Sequence, residues 1–90
     1  MGPGKADLLR AIDTHGSISA AARAMSMSYR RAWLLVNTMN EAFRSPLVES
    51  TKGGVDGGHA ALTRTGRAVL RAYESLVTRA ASAFGPLLKL

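Results

Sequence analysis

The stretch from Gly16 to Phe43, GSISAAARAMSMSYRRAWLLVNTMNEAF, admits few folds. Small helix-favouring residues run from Ala20 to Ala24, Met25-Ser26-Met27 interrupts them, and a second run with helical apolar spacing follows. Ser28 is a good N-cap for that second helix, which places Tyr29, Arg30 and Arg31 in its first turn. Cations are disfavoured there, because the helix dipole concentrates partial positive charge at the N-terminus. A local rule broken at one spot points to function. A polyanion reverses the sign of the penalty, since dipole and arginines both attract phosphate.

The flanking sequence fits the same pattern. Gly4–His15 reads as an amphipathic helix, with Pro3 near its start, Leu8, Leu9, Ala11 and Ile12 on one face, and Gly16 as a left-handed C-terminal cap. Ser17-Ile18-Ser19 then re-initiates, with Ser19 expected as the N-cap of a short helix through Ala24. Met25-Ser26-Met27 is the turn, with a methionine tucked into the core. In the third helix, Ser28–Phe43, a spacing of about 100° per residue gathers Ala32, Leu35, Val36, Met39 and Phe43 on the core side. Arg30, Leu34, Asn37 and Glu41 gather on the opposite face; Arg31 and Thr38 lie on one flank, and Tyr29, Trp33 and Asn40 on the other. The outward face thus offers an arginine, an apolar side chain and an amide, which suit guanine, a thymine methyl and adenine.

Beyond Pro46, Leu47-Val48-Glu49-Ser50 reads as a strand, Thr51–Gly58 (TKGGVDGG) as a turn, and His59–Leu62 as a second strand. Following helix, turn and helix, such a hairpin is a wing. Lys52 at its shoulder can reach a phosphate, while Gly53 and Gly54 allow close backbone approach. A nucleotide-binding P-loop is not indicated, because the Gly-Lys-Ser/Thr ending is missing. Thr63 then caps a long helix to about Phe84, along which Val69, Leu70, Tyr73, Leu76, Val77, Ala80, Ala81 and Phe84 form a continuous apolar stripe. Such a helix spans roughly 30 Å, longer than so small a body covers, so the stripe is expected to pack against a second copy. The fold class is mainly α with a small β-hairpin. Residues 1–62 form a winged helix-turn-helix and residues 63–90 a dimerisation helix and tail, together one compact unit.

Composition excludes several alternatives. Cysteine is absent, which removes disulfide and thiol chemistry and suits a reducing cytoplasm. No apolar run approaches the roughly 20 residues of a membrane span, and MGPGKA lacks the apolar segment of a signal peptide. The 12 Lys+Arg against 6 Asp+Glu are unevenly placed. From Arg23 to Lys52 there are five basic and two acidic residues, whereas the first 22 residues balance Lys5 and Arg10 against Asp7 and Asp13. His15 and His59 are isolated and no nucleophile, base and orienting partner stand together, so neither an enzyme, a metal site nor a cofactor is expected.

The blocks GSISAAARAMSMSYRRAW and LVES…KGGVDGGHAALTRTGRAVLRAYESL closely resemble the N-terminal domain of the ModE family of molybdate-responsive transcription regulators, over about residues 4–80. The broader likeness is to the winged helix-turn-helix of LysR-type regulators. The resemblance implies a dimer that binds palindromic operator DNA and regulates molybdenum-related genes. By position, Tyr29, Arg30 and Arg31 fall at the start of the recognition helix, Lys52, Gly53 and Gly54 on the wing, and Leu62-Thr63 through Tyr73 on the start of the dimer helix. Trp33 falls on the family's Ala-Trp pair and is expected to be structural, wedging helices together. Full-length members bind molybdate in separate C-terminal β-rich domains, for which these 90 residues leave no room, so molybdate sensing is not carried over.

The expected function is sequence-specific binding of double-stranded DNA by a homodimeric cytoplasmic regulator. Its DNA contacts are Ser26, Ser28, Tyr29, Arg30, Arg31, Leu34, Asn37, Lys52, Gly53 and Gly54, and its dimer interface is Val69, Leu70, Tyr73, Leu76, Val77, Ala80 and Phe84. The alternatives are a protein-interaction adaptor, in which the stripe receives a separate sensor protein, and a sequence-indifferent nucleoid-type binder. The arginine pair speaks against the first, and Tyr29, Leu34 and Asn37 on the outward face speak against the second.

Overall fold

The computed structural model describes residues 3–51 and 58–85. Within them α1 (Pro3–His15), α2 (Ile18–Ala24) and α3 (Tyr29–Ala42) precede an antiparallel hairpin of β1 (Val48–Thr51) and β2 (His59–Leu62), and α4 (Arg64–Phe84) closes the order. The hairpin register pairs Val48 with Leu62 and Thr51 with His59. This is a winged helix-turn-helix carrying a long C-terminal helix.

The core forms where the amphipathic faces meet. Leu8, Leu9 and Ile12 of α1 are fully buried, joined by Ala21 and Ala22 of α2 and by Ala32, Val36 and Met39 of α3. Alanines at the α2–α3 contact let the two helices approach closely. Leu47, Val48, Ala60 and Leu62 seal the hairpin onto this core, and Leu70 does the same for α4. The Ala60 amide donates to the Gly16 carbonyl at 2.9 Å, which ties β2 to the α1–α2 connection. Gly16 sits at φ 77°, the left-handed cap position that glycine takes without steric cost.

Several details differ from the sequence reading. Ser17, not Ser19, caps α2: its hydroxyl accepts from the Ala20 amide at 3.0 Å. The helix starts earlier because Ile18 is buried and anchors its first turn, leaving Ser19 exposed. The first strand begins at Val48, since the Leu47 amide donates to the Asn40 side chain at 2.8 Å and its carbonyl accepts from Thr63 at 3.0 Å. Leu47 is therefore a fully buried anchor outside the ladder. Phe43 is not a core residue. It terminates α3 in extended conformation, φ −116° and ψ 157°, so its ring leaves the helical face and stays 38% exposed. Met25 and Met27 are half-buried against the core.

The seat of α4 is built by Thr63. Its hydroxyl accepts from the Gly66 amide at 3.0 Å, capping the helix, and donates to the Pro46 carbonyl at 2.6 Å. Gly66 is buried against the Leu47 carbonyl, so closely that a methyl group has no space. Arg10 pairs with Glu74, and Arg67 with Asp13, across the α1–α4 contact.

Candidate nucleic-acid interface

The turn between α2 and α3 is set by three successive backbone amides. The Met25, Ser26 and Met27 amides donate to the carbonyls of Ala21, Arg23 and Ala22 at 3.0, 3.1 and 2.9 Å. The last two form the double closure of a Schellman cap, which needs a left-handed residue between them. Ser26 fills that position at φ 54°, the one non-glycine residue at positive φ among the described residues. A serine there carries a steric cost of roughly 1–2 kcal/mol that glycine avoids, while it presents an exposed hydroxyl beside the start of α3.

Ser28 caps α3 by accepting from the Arg31 amide at 3.1 Å. With Ala32, Val36 and Met39 facing inward, helical geometry turns Arg30, Leu34 and Asn37 outward, and all three are exposed. Tyr29 is 55% and Leu34 48% exposed. Ser26, Ser28, Tyr29, Arg30, Arg31, Leu34 and Asn37 therefore share one surface formed by the turn and the outer side of α3. Asn37 reaches Glu41 at 3.4 Å, a long and weak hydrogen bond that leaves its amide easily redirected. Glu41 repels phosphate and so marks the C-terminal limit of an anion-facing surface. Lys52, Gly53 and Gly54 lie outside the described residues.

Charge is distributed to match. Asp7, Asp13 and Glu74, half of the six acidic residues, are engaged by Arg10 and Arg67 on α1 and α4. Paired with both carboxylates, the Arg10 guanidinium is raised above its ordinary pKa, chiefly by its hydrogen bond to Asp7 and next by that to Glu74. No ion pair among the described residues involves Arg30 or Arg31. Among the described residues Arg30 and Arg31 thus have no carboxylate partner, an arrangement that suits an anionic ligand such as phosphate. Among the described residues no group of three His, Cys, Asp or Glu could hold a metal ion. No helix there is long and apolar enough to cross a membrane.

Two residues carry roles that the spacing did not disclose. Asn40 clamps α3 to the hairpin: its side-chain oxygen accepts from the Leu47 and Val48 amides at 2.8 and 3.1 Å, and its amide donates to the Val48 carbonyl at 3.1 Å. Its place on the flank between core and solvent was the available signal. Trp33 is no wedge between helices. Ala32 and Val36 fill that contact, and Trp33 remains 46% exposed. Of the residues expected at a dimer interface, Leu70 is buried in the chain's own core, and Val69 and Tyr73 are half-buried against it. Leu76, Val77, Ala80 and Phe84 are exposed. Phe43, Val69, Ala72, Tyr73 and Leu76 line a shallow apolar groove beside them.

Comparison with known proteins agrees with this architecture. The bacterial regulatory helix-turn-helix protein family of the LysR type matches residues 5–67. The molybdenum-pterin-binding protein MopA of Rhodobacter capsulatus is 42% identical over 80 residues, covering 89% of this chain and 30% of that protein. The DNA-binding transcriptional dual regulator ModE of Escherichia coli K12 is 39% identical over 85 residues, covering 94% of this chain and 32% of the regulator. The chain thus spans about a third of the length of these relatives. The solved full-length regulator LysG of Corynebacterium glutamicum, with bound effector Arg, superposes with a TM-score of 0.69 at 24% identity, over 97% of this chain and 28% of that one, a likeness of fold. Fold and relatives are those of regulators, not of enzymes. The chain belongs to the LysR family of bacterial regulatory helix-turn-helix proteins.

Proposed function

We propose that this chain binds operator DNA in a sequence-specific manner, as a homodimer, to regulate transcription. The observation that carries the reading is the exposed Arg30–Arg31 pair at the N-terminus of α3, in no ion pair among the described residues, while half of the acidic residues are engaged on α1 and α4. Its relative in E. coli is named as a DNA-binding regulator, which supports the same use of this surface. In the complex α3 lies in the major groove. Arg30 and Asn37 meet base edges, Leu34 a thymine methyl, and Tyr29, Arg31, Ser26 and Ser28 the adjoining bases and backbone. The wing, with Lys52, Gly53 and Gly54, follows the phosphates beside that groove. Two copies joined through the exposed half of α4, at Leu76, Val77, Ala80 and Phe84, set two recognition helices about 34 Å apart on one face of the duplex.

The test is selection of genomic DNA fragments by the purified protein at about 150 mM salt, where non-specific binding is weak. An enriched palindrome with half-sites about ten base pairs apart is expected. The resemblance to ModE makes molybdenum-related promoters the first place to look for it. In the selected site Arg30→Ala costs roughly 1–3 kcal/mol, with little change on random DNA. Binding without enrichment, vanishing as salt rises, refutes sequence-specific regulation.

A further inference from the structure

The sole tryptophan of the chain stands in an unusual place. Trp33 lies one helical turn after Tyr29 and two turns before Asn40, on the same flank of α3. Asn40 grips the backbone at Leu47 and Val48, so this flank is the one turned toward the hairpin. Nearly half of Trp33 is in contact with solvent, at 46% exposure, although the domain has a core in which Leu8, Leu9, Ile12, Met39 and Leu47 are fully buried. None of the side-chain hydrogen bonds among the described residues engages its indole N–H.

We infer that Trp33 binds the sugar–phosphate backbone of the DNA strand bordering the groove on the hairpin side. The inference rests on the DNA-binding reading above and adds a contact to it. A recognition helix meets base edges along its outward face and the two backbones along its flanks. Trp33 is in the N-terminal half of α3, near the arginine pair, and on a flank. Its indole N–H is donor-only, and a phosphate oxygen is acceptor-only, so the two are matched. The apolar ring covers the deoxyribose beside that phosphate, burying surface that is now wet. Such a contact is indifferent to sequence and serves to fix the depth and rotation of α3. Arg30, Leu34 and Asn37 then read bases from a defined position.

Because Trp33 is the only tryptophan, its fluorescence reports on this site alone. The protein is titrated with a random-sequence duplex of about two helical turns at about 50 mM salt, and with the selected operator at the same salt. Quenching that saturates with binding is expected on both duplexes. Read by the anisotropy of a dye-labelled duplex, since the variants carry no tryptophan, Trp33→Ala weakens both by about five- to tenfold, the loss of one hydrogen bond and its covered surface. Trp33→Phe recovers part of the loss by restoring the ring without the donor. The thermal midpoint and the sedimentation behaviour of both variants stay at wild-type values, as for an exposed residue away from subunit contacts. Unchanged fluorescence and affinity, with wild-type protein binding normally, overturn this inference and leave the DNA-binding reading intact. A loss confined to the operator shows base reading and overturns the backbone assignment, and a change in oligomeric state moves Trp33 to a subunit interface. Wild-type protein that binds neither duplex refutes the DNA-binding reading itself.

Discussion

Gly66→Ala is the most severe small change this chain can suffer among the glycines with described surroundings. A methyl group at Gly66 falls inside the contact distance of the Leu47 carbonyl oxygen, 3.0 Å from its carbonyl carbon and 3.2 Å from its Cα. These are backbone atoms, and no rotamer change relieves them. Relief requires α4 to move outward by on the order of 1 Å, the distance that restores ordinary van der Waals contact. Such a shift stretches the Thr63 amide bond to Leu47, now 3.0 Å, and the Thr63 hydroxyl bond to Pro46, now 2.6 Å. Each such bond contributes about 1 kcal/mol, and the overpacking itself costs about 1–3 kcal/mol. Alanine returns about 1 kcal/mol in helix propensity. The net loss is about 2–4 kcal/mol, which lowers the melting temperature of a domain of this size by about 10–25 °C. Far-UV circular dichroism during heating and urea titration reads it directly. Gly4→Ala is the control: its new methyl meets nothing within 4 Å, and a stabilisation of about 0.5 kcal/mol is expected. A Gly66→Ala variant melting at or above the wild-type temperature would refute the seating of α4 on Leu47.

Ser26→Gly relieves the left-handed serine at φ 54° and stabilises the fold by about 1 kcal/mol; chemical denaturation measures it, and a destabilised variant shows that the turn conformation is misassigned. The same variant loses a hydroxyl beside α3, so its affinity for operator falls while its stability rises. Asn40→Ala strips partners from the Leu47 and Val48 amides, both on buried residues, and costs about 2–3 kcal/mol; amide hydrogen exchange in the hairpin then accelerates ahead of exchange in α1, and uniform protection sinks the clamp. Leu76→Asp, at a position 66% exposed within the chain, leaves folding nearly unchanged but is expected to yield monomers that bind operator poorly. A monodisperse dimer in sedimentation experiments removes α4 from the interface.

Order and type of all six elements were legible from apolar spacing, caps and turn residues: Ser or Thr stands at the starts of α2, α3 and α4, Pro3 at that of α1, and a glycine-rich stretch separates the two strands. What was misread depended on partners distant in sequence. Ser17 and Ser19 are equivalent caps by composition, and only the burial of Ile18 decides between them. Phe43 fits the inward face of a helix that continues, yet the helix stops at Ala42 and the ring swings out. Trp33 read as structural because it falls on the Ala-Trp pair of the resembled family; the alanine beside it is the residue that packs, at 0% exposure against 46% for Trp33. Asn40 could not be identified as a clamp without knowing that residues 47 and 48 return to it. The outward face of α3 was readable because it depends on one helix alone.

The same distinction explains why α4 divides into two halves. Up to Glu74 its residues answer to their own domain: Gly66 meets Leu47, Leu70 enters the core, and Arg67 and Glu74 pair with Asp13 and Arg10. From Ser75 to Gly85 every residue is exposed, yet Leu76, Val77, Ala80 and Phe84 continue the apolar spacing without interruption. Selection for the solubility of an isolated domain would place charges there, and only Arg79 is charged between Ser75 and Gly85. Arg30 and Arg31 depart from local rules in the opposite sense, with cations at a helix terminus that repels them. The chain thus breaks the logic of its own fold at two surfaces. One is too positive for its helix end and the other too apolar for water, and the contacts proposed above would relieve both: duplex phosphate for the first, a second copy of α4 for the other.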